Sequence, residues 1–292
     1  MGVPFGPCVD MKSCVDTLMI CIFWREKAIY MMQHVPWPEI YERELVPAIF
    51  RPWSFTTVAS VEPEAGEHVL DVACGTGVVT RRVARYVGPQ GRVVGLDLNE
   101  DMLAFARSLE PTNAIIEWVQ GNALLLPFAE AQFDIVLCQG GLQFIKDRVT
   151  ALREMHRVLK PGARLAVQLF NDLQAVSAFA VLARTIEAYV DPLVVEHIMA
   201  PFSLGDRNEA QALLRKAGFQ KIALSEEMKL AHFHSAEHFV HSRLVGSSIR
   251  NNMSEEILER AIREGSAALR CYDVSGELMF PMVGYILLAH KD

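Results

Sequence analysis

Glu67-His68-Val69-Leu70-Asp71-Val72-Ala73-Cys74-Gly75-Thr76-Gly77, followed by Arg92-Val93-Val94-Gly95-Leu96-Asp97, is the stretch that decides the fold. Val69, Leu70 and Val72 make a short apolar strand that breaks into a glycine turn. Gly75 and Gly77 permit backbone angles and a close ligand approach that a side chain would block. Apolar residues at Val79, Val83 and Val87 then recur at helical spacing. Asp97 ends the next strand, where a carboxylate can accept both hydroxyls of a ribose held over the turn. Each such charge-assisted bond is worth roughly 1.5–3 kcal/mol.

The details of the turn choose between nucleotides. A nicotinamide fingerprint asks for a third glycine that lets the helix pack close to the strand. Here the run is Gly75-Thr76-Gly77-Val78-Val79-Thr80, and Thr80 stands in that place. Asp71, just before the turn, would crowd a pyrophosphate but suits a ligand with an ammonium group. An NAD(P)-dependent oxidoreductase is therefore the alternative. Val69-Leu70-Asp71-Val72-Ala73-Cys74-Gly75-Thr76-Gly77 resembles the first motif of the class I S-adenosylmethionine (SAM) methyltransferases, hydrophobic-Leu-Asp-x-x-x-Gly-x-Gly. With Cys74 in that motif, the pattern most resembles the ubiquinone/menaquinone C-methyltransferase-like branch (methyltransferase type 11). The resemblance covers residues 38–224 and the terminal strand.

The 292 residues suffice for a large core, and 51% apolar with 22% charged residues describe a soluble globular protein. A net charge of −7 disfavours nucleic acid as a partner. Cys8, Cys14, Cys21, Cys74, Cys138 and Cys271 form no C-x-x-C pair, which suits free thiols in a reducing cytoplasm. Leu18 to Trp24 is apolar but too short to span a bilayer. Asp10 and Asp16 spoil a signal-peptide front, and Gly6 stands where myristoylation wants Ser or Thr. Residues 1–30 read as an extension upstream of a start at Met31 or Met32. A homodimer is compatible with the sequence, which does not specify the assembly.

Beyond the turn, strands and helices alternate, predicting a doubly wound, mostly parallel sheet. Tyr41, Leu45, Val46, Ile49, Phe50 and Trp53 give an amphipathic helix before the first strand. Asn99 caps the helix carrying Met102, Leu103, Ala106 and Leu109, which Pro111 stops. Ile115–Val119, Phe133–Cys138 and Arg164–Phe170 are the next strands, and Asp147 caps the helix between the last two. Ala175–Tyr189 is a buried helix, Asp206 starts another, and Phe219–Leu224 and Pro281–Ala289 are the closing strands. The family ends with such a pair, the last strand antiparallel, so the expected fold is an α/β Rossmann-like, seven-stranded sheet with a helical lid. The divisions are an N-terminal extension or lid at 1–37, a SAM-binding core at 38–227, a helical lid insertion at 228–280 and a final core strand at 281–292.

The resemblance places the cofactor. Asp71 and the Ala73, Cys74, Gly75, Thr76 and Gly77 backbone would hold the methionine end, and Asp97 the ribose, with Leu98 and Met102 beside it. Asn122 and Ala123 would meet the adenine, Asn122 standing where the family usually has aspartate; its amide oxygen can still accept from an amine. Gln139 would contact the methionine half, and Tyr41 would reach over the cofactor. Trp37, Phe144 and Phe233 make an apolar acceptor pocket. The expected chemistry is in-line transfer of a methyl group to O, N or C of a hydrophobic or aromatic small molecule, with a non-catalytic SAM-binding protein as a further alternative. Catalytic candidates are His34 and His234 as bases, because neutral imidazole suits proton removal near pH 7, and Gln143 on the substrate side. His232, His234, His238 and His241 share strand and helix faces, yet no Cys or paired carboxylate joins them, so no metal is expected.

Overall fold

The computed structural model describes residues 36–109, 116–171, 178–245 and 252–292. His34, the Leu18–Trp24 run, Pro111, Ile115 and the first residues of the 175–189 helix lie outside them.

The helix expected before the first strand has three parts. Helix α1 (Trp37–Ile40) runs into a π-helical segment (Tyr41–Phe50), which continues as α2 (Arg51–Ser60). Pro47 inside the π segment has no N–H to give the ladder, and the Arg51 N–H reaches back five residues to the Val46 carbonyl. Such wide turns recur at functional sites. This one carries Tyr41, Glu42 and Phe50.

Strand β1 (His68–Val72) leads through the glycine turn into α3 (Val78–Val87) and β2 (Arg92–Asp97). Then come α4 (Glu100–Ser108), β3 (Ile116–Gln120), β4 (Phe133–Gln139), α5 (Arg148–Val158) and β5 (Leu159–Phe170). Asn99 and Asp147 cap α4 and α5 as expected, accepting from the Asp101 and Thr150 N–H groups. Helices α6 (Ala178–Ile186), α7 (Pro192–Met199) and α8 (Arg207–Lys216) precede β6 (Gln220–Phe233). After it come α9 (Ala236–Leu244), α10 (Glu255–Ala268), the two-residue β7 (Asp273–Val274) and β8 (Glu277–His290).

The sheet runs β3-β2-β1-β4-β5-β8-β6, with β7 attached to β8. Neighbours from β3 to β5 pair in parallel, and β8 lies antiparallel to both β5 and β6. Strand order reverses between β1 and β4, so the crevice for a ligand opens at their carboxyl ends, beside the turn. Alternation splits β1 between two cores. Val69 packs with Val83, Val93 and Ile135 under α2 and α3, while Leu70 packs with Val94, Val136 and Met155 on the other face.

One boundary differs from expectation. The segment 228–280 begins and ends as strand: β6 continues to Phe233 and β8 starts at Glu277, paired through Phe233↔Leu278. The helical part is α9 and α10. They pack on α6 through Leu182, Val240, Leu258 and Ala261 in a third cluster that includes Trp53, Phe170 and Phe280. No helix among the described residues is long and apolar enough to cross a membrane.

Candidate cofactor site at the glycine turn

The turn after β1 passes through left-handed backbone at Ala73 (φ 58°), Gly75 (φ 55°) and Gly77 (φ 85°). A left-handed alanine is strained, and such strain collects at functional sites. The Cys74 N–H donates to the Leu96 carbonyl at 3.0 Å, tying the turn to β2, and the Gly77 N–H donates to the Cys74 carbonyl at 2.9 Å. Gly77 must be glycine for a second reason: a Cβ there would stand 2.2 Å from the Trp118 ring. A Cβ on Gly95 of β2 would stand 2.6 Å from the same ring. Trp118 thus seats the turn from β3. Nothing in the sequence beyond a glycine inside a strand pointed to so close an approach.

Asp97, half-buried at the tip of β2, accepts the Gly75 N–H through Oδ2 at 2.8 Å and the Asn99 N–H through Oδ1 at 2.9 Å. Burial pushes its pKa up, and these backbone bonds pull it back. Asp71 is 1% exposed and accepts the Thr80 hydroxyl at 2.6 Å. Burial, opposed by the Thr80 bonds, pushes its carboxyl up to about 7. Asp71 therefore braces the first turn of α3 with one oxygen, and does not present an open carboxylate to a ligand as the sequence suggested. The threonine that replaces the third glycine is its partner.

A second link joins the turn to the π segment. The Thr76 hydroxyl donates to Glu42 at 2.5 Å, Arg81 donates to the other Glu42 oxygen at 3.0 Å, and Arg81 also donates to the Thr76 carbonyl. Tyr41 lies over the turn: a Cβ on Gly75 would stand 3.6 Å from its hydroxyl. Its ring stacks on Phe50 at 5.1 Å and meets Trp37 edge-on at 5.7 Å. Burial first, and then the nearby Asp97 carboxylate, raises the phenol pKa, so Tyr41 stays protonated. Cys74 and Cys138 are also raised, mainly by burial, so neither is a thiolate near neutral pH.

Three buried glutamines lie near the ends of β4 and β5 and in the turn that follows β4. Gln139 and Gln168 are register partners, and Gln139 donates to the Phe50 carbonyl at 3.0 Å. The Gln139 Oε1 and both amide atoms of Gln143 and Gln168 are buried without hydrogen-bond partners. Orphans of this kind cost about 1–3 kcal/mol each and mark where a polar ligand group is wanted.

Leu98, Asn122 and Ala123 follow the adjoining tips of β2 and β3, where Asp97 and Gln120 are register partners and the Gly121 N–H donates to the Asp97 carbonyl at 2.9 Å. Met102 is buried in α4 and Leu98 is exposed. Asn122 is exposed and accepts the Leu124 N–H at 2.9 Å, and Ala123 packs half-buried nearby. Phe144 is 54% exposed at the rim. Phe233 belongs to the core, 3% exposed and stacked on Phe280, so it lines no open pocket. His234 is exposed past the end of β6, against His238. His232 pairs with Glu277 at 2.9 Å, and His238 approaches Glu44 at 3.4 Å. Among the described residues, no group of three or more His, Cys, Asp or Glu is placed to hold a metal ion. Sequence reasoning missed the roles of Glu42, Thr80, Trp118 and Arg81.

A glycine turn, a strand-tip carboxylate beside it and an aromatic roof fit a nucleoside with free ribose hydroxyls. S-adenosylmethionine is such a molecule.

Comparison with known proteins agrees. A demethylmenaquinone methyltransferase of Staphylococcus carnosus is 34% identical over 181 residues, 58% of this chain and 75% of that protein. A 2-phytyl-1,4-naphthoquinone methyltransferase of Thermosynechococcus vestitus is 45% identical over 122 residues, 42% of this chain and 54% of that one. A ubiquinone/menaquinone biosynthesis C-methyltransferase UbiE of Hahella chejuensis is 44% identical over 126 residues, 42% of this chain and 51% of its own. Most of these similarities span about half of the relative's length. A candidate methyltransferase from Bacillus halodurans C-125 shares the fold at TM-score 0.54 and 21% identity, over 82% of this chain and 98% of its own. So does the cyclase SpnF, at TM-score 0.51 and 21% identity over 82% of this chain and 81% of its own. The fold alone therefore names no reaction. The model of the ubiE/COQ5 methyltransferase family matches residues 45–236, about two-thirds of the chain, and the protein belongs to that family of SAM-dependent methyltransferases.

Proposed function

We propose that the protein transfers a methyl group to a ring carbon of a hydroxylated quinol-type acceptor. The supporting observation is the seating of Tyr41 over Gly75, which roofs the cofactor turn with an aromatic ring and continues it into an apolar wall. The quinone-directed names of the sequence relatives favour this acceptor class over others.

S-adenosylmethionine supplies, when bound, a methyl group already activated on a sulfonium, so alignment and exclusion of water are what the protein must add. Asp97 and the turn fix the nucleoside. The Glu42, Thr76 and Arg81 bonds hold the π segment against that turn, keeping Tyr41 in place. Tyr41, being neutral, can donate a hydrogen bond to an acceptor oxygen. Cys74, being a neutral thiol, does not compete with the acceptor as a nucleophile.

The test is incubation of the purified protein with S-adenosylmethionine and a prenylated 1,4-naphthoquinol kept reduced. The expected products are S-adenosylhomocysteine and a ring-methylated quinol, with the attachment carbon fixed by NMR. Release of S-adenosylhomocysteine only with phenol ethers or amines as products overturns the quinol assignment.

A further inference from the structure

Arg243, in the last turn of α9, is 8% exposed. No carboxylate pairs with it among the described residues, and its Nε meets no acceptor. Its neighbours are a ring, a phenol and an imidazole. The guanidinium carbon lies 5.7 Å from the centroid of Phe179. The Tyr41 hydroxyl and the half-buried His197 are both within its electrostatic reach. Burial, and then the charge of Arg243, keeps His197 below its ordinary pKa, so the imidazole is neutral too. Burial likewise lowers Arg243, to about 10, which leaves it charged near neutral pH.

A buried cation with no counter-charge is expensive, and a ring face compensates only in part. The position is connected to the cofactor turn. Tyr41 touches the space over Gly75, and the same Tyr41 senses Arg243. A train of rings also runs between them, from Phe50 to Phe170 (6.5 Å), Phe202 (6.2 Å) and Phe179 (5.1 Å). One end of an apolar aromatic wall thus carries the methyl-donor turn, and the other carries a positive charge that no carboxylate among the described residues balances.

We propose that Arg243 is the binding site for an ionised ring hydroxyl of the acceptor, so that the enzyme takes its substrate as the phenolate. This rests on the quinol reading above and adds to it the charge state of the substrate and the residue that selects it. The hydroxyl proton leaves to solvent. The negative oxygen pairs with the guanidinium through charge-assisted bonds, in reach of the neutral Tyr41 hydroxyl. Phenolate formation loads electron density onto the ring carbons beside and opposite the oxygen, which is where a carbon nucleophile is needed.

The test uses 4-nitro-1-naphthol, whose anion is coloured, with the full-length protein saturated with S-adenosylhomocysteine. The expected result is a bound-probe pKa lower than that of the free probe by roughly one unit, a tenfold preference for the anion. Arg243→Met should abolish that shift while S-adenosylhomocysteine binding by calorimetry is unchanged, and Arg243→Lys should keep part of it. The melting temperature of apo Arg243→Met should be equal to or above wild type, because an unpaired buried charge has been removed. An unshifted pKa in wild type, or the same shift in Arg243→Met, overturns the assignment and leaves the methyltransferase reading standing. Failure of the neutral naphthol to bind the S-adenosylhomocysteine complex at all overturns the aromatic-acceptor reading and the Arg243 site with it.

Discussion

The Asp97 carboxylate and the Gly75 N–H, twenty-two positions apart in sequence, meet at 2.8 Å. That bond sets the tip of β2 against the glycine turn, and with the Asn99 N–H it fixes the carboxylate's direction. Asp97→Ala removes the group that would accept the ribose hydroxyls and also releases the turn. Loss of one charge-assisted bond is worth about 1.5–3 kcal/mol. Affinity for S-adenosylmethionine should fall at least about tenfold by isothermal titration. An unchanged dissociation constant would refute the role.

Glu42 joins the π segment to the turn by side-chain bonds, taking the Thr76 hydroxyl and the Arg81 guanidinium on separate oxygens. Glu42→Gln keeps the size but exchanges one acceptor oxygen for a donor that faces another donor. Loosening of the roof should speed S-adenosylhomocysteine release severalfold, with a stability loss of about 1–2 kcal/mol. Stopped-flow displacement measures the first and denaturant unfolding the second. Release at the wild-type rate from a destabilised protein would confine Glu42 to folding.

How much of this was legible beforehand depends on the range of the interaction. The β1 strand, the glycine turn, Asp97 and the caps at Asn99 and Asp147 are local patterns, and the structure places them where period and spacing put them. The extension of β6 to Phe233 was not legible, because Met228 and Leu230 alternate on an exposed strand and the pattern there is weak. The burial of Asp71 was not legible for a different reason. A buried acid and a ligand-facing acid have the same sequence, and only the Thr80 hydroxyl, nine residues on in the first turn of α3, distinguishes them. Phe233 was read as pocket lining because an aromatic in an insertion looks functional, whereas Phe239 and Phe280 surround it with a core of their own.

Gly77 answers to backbone and space at once. A side chain at φ 85° costs roughly 1–2 kcal/mol, and its Cβ would collide with Trp118 at 2.2 Å. Gly77→Ala should therefore lower stability by more than the backbone cost alone and weaken cofactor binding. Adding Trp118→Leu should recover part of the stability, because the collision is removed while the backbone cost stays. Strict additivity of the two substitutions in a thermal-melt cycle would show that the ring does not impose the glycine.

Asp71 gives the turn a pH signature. Its carboxyl sits at about 7 in the folded protein, raised chiefly by burial, against about 3.9 in an unfolded chain. Between those values the native state holds a proton that the unfolded state has lost, so stability falls as pH rises through the window. Above about 7 the penalty is fully present, and below about 4 it is absent. Asp71→Asn leaves an amide oxygen for the Thr80 hydroxyl and cannot ionise. The variant's melting temperature relative to wild type should therefore climb from pH 5 to pH 8. A difference that stays flat across that range would mean that Asp71 is ionised throughout, and that its negative charge is held by partners other than Thr80.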